Sequence, residues 1–107
     1  MPMQVRIREH SPLAGIGARI LKESAVALTW GHHIHLHRVS RQDFLNNKQW
    51  VCHEIVHVHQ YRKYGLLSFT FLYLWESLRK GYYRNRWEVE ARARQNNLQL
   101  LEDVIFV

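Results

Sequence analysis

Residues 53–57 read His-Glu-Ile-Val-His, two imidazoles four positions apart with a carboxylate beside the first. The spacing carries chemistry if the segment is helical. Side chains four apart on an α-helix differ by only about 40° in direction. His53 and His57 then point the same way and can grip one metal ion. Neutral imidazole is a good zinc ligand, and two of them with a carboxylate leave a fourth position for water. Glu54 is turned about 100° from His53, beside the metal rather than on it. There it can act as the catalytic base towards water whose pKa zinc lowers to about 7. The plainer account is that His53 and His57 are ordinary, partly buried helix residues.

The third ligand must come from elsewhere in the chain. His59 is two residues beyond His57 and so about 200° round the helix, off the metal face. The acidic candidates downstream are Glu88 and Glu90, with Glu76 third. Glu88 and Glu90 are also about 200° apart on a helix, so only one of them can face the metal.

The stretch NKQWVCHEIVHVHQYRKYG, followed by YYRNRWEVEARAR, resembles the gluzincin metallopeptidases. It is closest in pattern to the minigluzincins and related small bacterial peptidase-like domains, in which HExxH is followed by Gln-Tyr and later by Asn-x-x-Glu-x-Glu-Ala. The resemblance runs from about Ala25 to Arg94. It implies a zinc-dependent peptidase whose third ligand is the glutamate of a downstream E-x-x-A sequence, a role that falls on Glu88 of Glu88-Val89-Glu90-Ala91. Arg92 stands where gluzincins often have aspartate after that alanine, and Trp87 replaces a proline-aromatic pair. The family also implies a sheet edge above the active-site helix, along which a peptide lies antiparallel. Ile34 to His37 is the natural choice for that edge strand. Tyr82 and Tyr83 lie close to Glu88 in sequence, and Tyr83 is taken as a candidate donor to the tetrahedral oxyanion. Packing under a loop accounts for these tyrosines equally well.

Positioning these groups requires several elements. Met3, Val5 and Ile7 alternate with polar residues, a strand signal. Ser11-Pro12 reads as an N-cap followed by proline in the first turn of a helix ending near Glu23; Gly15 and Gly17 count against it. Ala25 to Val39 looks like two strands around Trp30-Gly31-His32, with His33, His35 and His37 on one face of the second. That row is a candidate for lining the cleft or holding a second metal, against the simpler account of solvated histidines. Ser40 and Asp43 have capping spacing for a short helical turn. Asn46 or Asn47 caps a helix from about Lys48 to Lys63, stopped by Gly65. A second long helix, about Leu67 to Lys80, is apolar nearly all round and reads as buried. Asn85 caps a last helix from about Arg86 to Leu101. The expected fold is α+β: a single small, mostly helical zincin-like domain over residues 1–107, with an N-terminal two- to three-stranded sheet above the HExxH helix.

The composition suits this reading. Of the 107 residues 47% are apolar, enough for a core without disulfides, and Cys52 is the only cysteine. Leu66 to Leu78 is the longest greasy stretch, too short for a bilayer, and the N-terminus has no signal-peptide pattern. A cytoplasmic protein without membrane attachment is expected. The formal charge of +6 is scattered and accompanied by no nucleic-acid-binding motif, which favours a solvated basic surface. The expected partner is a peptide or protein substrate, cleaved by a zinc metalloendopeptidase. The competing reading is a catalytically weak or inactive zinc-bearing domain that binds peptides or nucleic acid. The apolar tail Val104 to Val107 either completes the core as an added strand, lies in the cleft as a restraint, or supports self-association.

Overall fold

The structure, a computed structural model, describes residues 3–107. Met1 and Pro2, which belong to the 1–107 domain expected above, lie outside the described residues. Among the described residues the chain runs β1 (Met3–Arg8), α1 (Pro12–Leu21), β2 (Val26–Trp30), β3 (His33–His37), α2 (Arg41–Asn46), α3 (Lys48–Tyr64), α4 (Leu66–Lys80), α5 (Arg86–Arg94), a 3-10 turn (Leu98–Leu101) and β4 (Val104–Phe106). The fold is α+β, as expected, but the sheet has four strands.

Local chemistry sets most boundaries. Ser11, Ser40, Asn47 and Asn85 each cap a helix by accepting a backbone N–H with the side chain. Gly65 and Gly81 end α3 and α4. Trp30 pairs with His33 across a two-residue loop, in which Gly31 has φ +67°, a conformation glycine adopts at no steric cost. At Gly17, an added Cβ would come within 3.1 Å of Leu28. The glycine that weakens α1 as a helix lets it lie close against β2.

The strand order is β2-β3-β1-β4. The β2–β3 hairpin is antiparallel, whereas β1 runs parallel to both β3 and β4. This corrects the expectation that Ile34 to His37 is the edge. β1 occupies the outer side of β3, with Ile7 beside Ile34, so β3 is interior and β2 and β4 are the two outer strands. The hairpin alone offers two edges, and the α1 crossover decides which one is used. The C-terminal residues form β4, with Met3 opposite Val104 and Val5 opposite Phe106. The tail therefore lies at the opposite end of the sheet from β2.

Alternation places Met3, Val5, Ile34 and Leu36 on one face of the sheet, packed on Phe44 of α2 and Val51, Ile55 and Val58 of α3. α1 covers part of the other face. A second cluster, Tyr61, Phe69 and Trp87, forms where α3, α4 and α5 meet. Two expectations fail among the helices. α4 is not a buried element: only Phe69 and Glu76 are buried, while Leu67, Phe71, Leu74, Trp75 and Leu78 are exposed. It touches the rest of the domain along one narrow side. α5 ends at Arg94 rather than near Leu101, because Asn97 accepts from the Gln99 N–H and starts the 3-10 turn. No helix among the described residues is long and apolar enough to cross a membrane.

Candidate metal centre

α3 carries His53, Glu54 and His57 in its middle turns, and α5 brings Glu88 across from them. His53 Nε2 lies 2.9 Å from Glu88 Oε1, and His57 Nε2 lies 3.1 Å from Glu88 Oε2. The two imidazole rings stand edge to face, 5.1 Å between centroids. Ligand atoms of the three residues lie within 4.8 Å of one another, a group that could hold a metal ion. Tetrahedral donors about 2 Å from zinc sit roughly 3.3 Å apart, close to the nitrogen–oxygen separations here.

The partners of each ring fix which nitrogen is free. Gln60 Nε2 donates to the Trp87 carbonyl at 3.1 Å and to Glu90 Oε1 at 2.6 Å. Its carbonyl oxygen is thereby left to accept from His57 Nδ1 at 2.7 Å. Gln95 Oε1 stands 2.9 Å from His53 Nδ1 in the same relation. With both Nδ1 atoms held by glutamine oxygens, Nε2 is in each ring the nitrogen that faces Glu88, and loss of its proton would leave it free for metal ligation. Tyr73 donates to Glu88 Oε2 at 2.6 Å, orienting the carboxylate from the side of α4.

Charge follows the same geometry. Burial resists ionisation of Glu88, but hydrogen bonds from His53, His57 and Tyr73 outweigh it and hold its carboxyl far below the usual range. Burial disfavours the His57 cation, yet the hydrogen bond and charge of Glu88, with the charge of Glu54, raise its pKa to about 9. Glu54 is buried and accepts a hydrogen bond from the Thr29 hydroxyl of β2 at 2.7 Å. Its carboxyl is pushed up, chiefly by desolvation. A carboxylate with raised proton affinity beside a cationic centre is suited to accepting a proton.

A cavity of about 590 Å³ opens onto Glu54, His57 and Glu88. α1 and β2 form one wall, α4 the other. Tyr73 and Tyr82 line it. Tyr83 does not: it is 73% exposed, with the Arg92 guanidinium 4.1 Å above its ring. The structure thus places Tyr73, not Tyr83, on the site carboxylate. Glu90 is turned to Gln60, and buried Glu76 meets Arg79, Lys80 and the Arg86 N–H. His59 lies off the cluster, and Cys52 is buried with its thiol near the Asn97 carbonyl. The His33, His35 and His37 row is on the sheet face turned from α3. Arg8 donates to His33 there, and Ser11 is 2.7 Å from His35. Among the described residues His53, His57 and Glu88 form the one converging group of three metal-ligating side chains.

Sequence reasoning missed Thr29, Gln60, Tyr73 and Gln95. Only Gln60 leaves a signal, three residues after His57 on the same helix face. The others reach the site through tertiary contacts.

Fold and site together define an α+β domain with a potential His-His-Glu metal centre under the open edge of a mixed sheet. The sequence model described as the eCIS core domain matches residues 4–65, more than half of the chain, and the chain belongs to that family. The matched segment runs from β1 to the end of α3 and contains Thr29, His53, Glu54 and His57, but not Glu88. No curated protein and no solved structure matches the chain.

Proposed function

We propose that this domain is a zinc-dependent peptidase of the gluzincin type, with His53, His57 and Glu88 holding the metal and Glu54 as the general base. The observation that carries the reading is the pairing of a metal-ligating group with a separate buried carboxylate, Glu54, at the floor of one cavity. A purely structural metal site has no use for a base beside it.

When bound, zinc supplies Lewis acidity, polarising a peptide carbonyl and easing deprotonation of water. Glu54 accepts the proton as the water oxygen bonds to the carbonyl carbon. It then returns that proton to the amine nitrogen as the carbon–nitrogen bond breaks. Thr29 holds the Glu54 carboxylate in place, and Tyr73 holds Glu88. The open edge of β2, above α3, receives an extended peptide through main-chain hydrogen bonds, the part first expected of Ile34 to His37.

The test is hydrolysis of a mixed peptide library by zinc-loaded protein, beside Glu54→Ala and a chelator control. Metal content is measured throughout. Cleavage that disappears in Glu54→Ala while zinc stays bound is the expected result. Stoichiometric zinc with no cleavage would replace the reading by that of a non-catalytic metal-bearing domain. Full zinc occupancy in His57→Ala would remove the ligand assignment.

A further inference from the structure

The cavity beside the metal centre is mainly apolar and free of basic side chains. The chain carries 15 Lys and Arg residues and a formal charge of +6, yet none of those 15 lines the cavity. Its only carboxylates are Glu54 and Glu88, both already engaged. The walls are aliphatic and aromatic: Leu13 and Ile20 from α1, Val26 and Leu28 from β2, Phe69 and Leu74 from α4. Several of these stand well out of the core, with Ile20 74% and Leu74 57% exposed. Apolar side chains flanking a concave surface cost free energy in water and regain it when an apolar ligand covers them.

The shape of the opening says which ligand. β2 and α4 are tied to each other at the cavity, where the Trp30 indole donates to the Thr70 hydroxyl, 3.1 Å away. β2, which forms one wall, is an outer strand of the sheet, so its outward N–H and C=O groups are available to an extended backbone. The chain's own apolar tail is not that occupant, because β4 is committed to β1 at the far end of the sheet.

Resting on the peptidase reading, we infer that the site takes extended peptide segments with a large aliphatic or aromatic side chain next to the bond to be cut. Ile20 and Leu74 are its specificity-determining side chains. A charged side chain entering between α1 and α4 would lose its hydration and meet no counter-charge there. In an apolar pocket, one methylene changes selection by roughly 10- to 200-fold, so leucine or phenylalanine against alanine should exceed 10-fold.

Two measurements separate this inference from the reading beneath it. The first maps the cut sites in a peptide library with zinc-loaded protein. The second measures binding of leucine- or phenylalanine-containing peptides and their serine-substituted counterparts to zinc-loaded Glu54→Gln, a form that retains the cavity. Expected are cuts beside large apolar residues, a binding preference above 10-fold, and loss of that preference in Leu74→Glu and Ile20→Lys. Leu78→Lys, an outward position on α4, should keep it. Binding preference without any cutting would keep the apolar peptide site but remove the peptidase reading, and with it the placing of that side chain beside a cut bond. Cutting without apolar preference would keep the peptidase reading and overturn the inference, and equal affinity for the serine peptides would overturn the inference by itself. Self-association abolished by Leu74→Glu, with no peptide preference, would mean that a second copy fills the groove and would overturn the inference.

Discussion

Two glutamine amides decide what the site histidines can do. Gln60 is pinned by its own donation to Trp87 and Glu90, so it can only accept from His57. Replacing it with leucine frees the ring to turn or to carry its proton on Nε2. Gln60→Leu should weaken zinc affinity by about 10- to 100-fold, as read by competition with a chelating dye; unchanged affinity would refute the tautomer argument. Thr29 holds Glu54 rather than a ligand. Thr29→Val should therefore cut the rate of peptide hydrolysis by roughly 10- to 150-fold, the equivalent of about 1.5–3 kcal/mol for a hydrogen bond to a charged group. Zinc content should stay constant, and Thr29→Ser should restore the rate. A loss of zinc in Thr29→Val, or no rescue by serine, would count against its role. At this scale the four-residue spacing made His53, Glu54 and His57 legible, because helical geometry is local. Thr29 and Tyr73 were not legible, since nothing within a few residues of either points to Glu54 or Glu88. Tyr83 misled because closeness to Glu88 in sequence does not survive the turn before α5.

The elements stand in the same relation. Caps at Ser11, Ser40, Asn47 and Asn85 and stops at Gly65 and Gly81 could be read directly, since each acts within one turn. The edge of the sheet could not, because β1 chooses β3 through a crossover. The exposure of α4 was also hidden: an apolar helix reads as buried until it is known how few neighbours it has. Asn85 joins α4 to α5. It is fully buried, and its amide donates to the Tyr73 carbonyl and the Ser77 hydroxyl while its oxygen accepts from the Trp87 N–H. One side chain thus sets the distance between the helix of Tyr73 and the helix of Glu88. Asn85→Ala should cost about 3 kcal/mol, a cap and two buried bonds. Thermal denaturation should show a drop of roughly 12–24 °C, and a drop below 2 °C would contradict the linkage.

For the molecule as a whole, the metal group draws on two helices, α3 with His53 and His57 and α5 with Glu88, and the eCIS core match covers only the first of them. Binding an ion across α3 and α5 must therefore also bind the two halves of the chain to each other. Added zinc should raise the melting temperature in proportion to the logarithm of its concentration, by about 2.7 kcal/mol of stability at 100 times the Kd. His57→Ala should show no such rise. A metal-independent melting temperature in the parent protein would mean that the group binds no ion in the folded state.

The central position of β1 has a consequence for how the chain reaches this state. Both of its neighbours are reached late: β3 after the α1 crossover and the hairpin turn, and β4 at Val104–Phe106. On its β4 side the strand stays unpaired until the chain has been made as far as Val104. Parallel pairing over such separations is entropically late and kinetically slow. The helices can form while they wait, but the sheet that roofs the metal centre closes last. Until β4 arrives, the side of β1 that it will cover presents unpaired N–H and C=O groups, the kind of edge on which chains pair with one another.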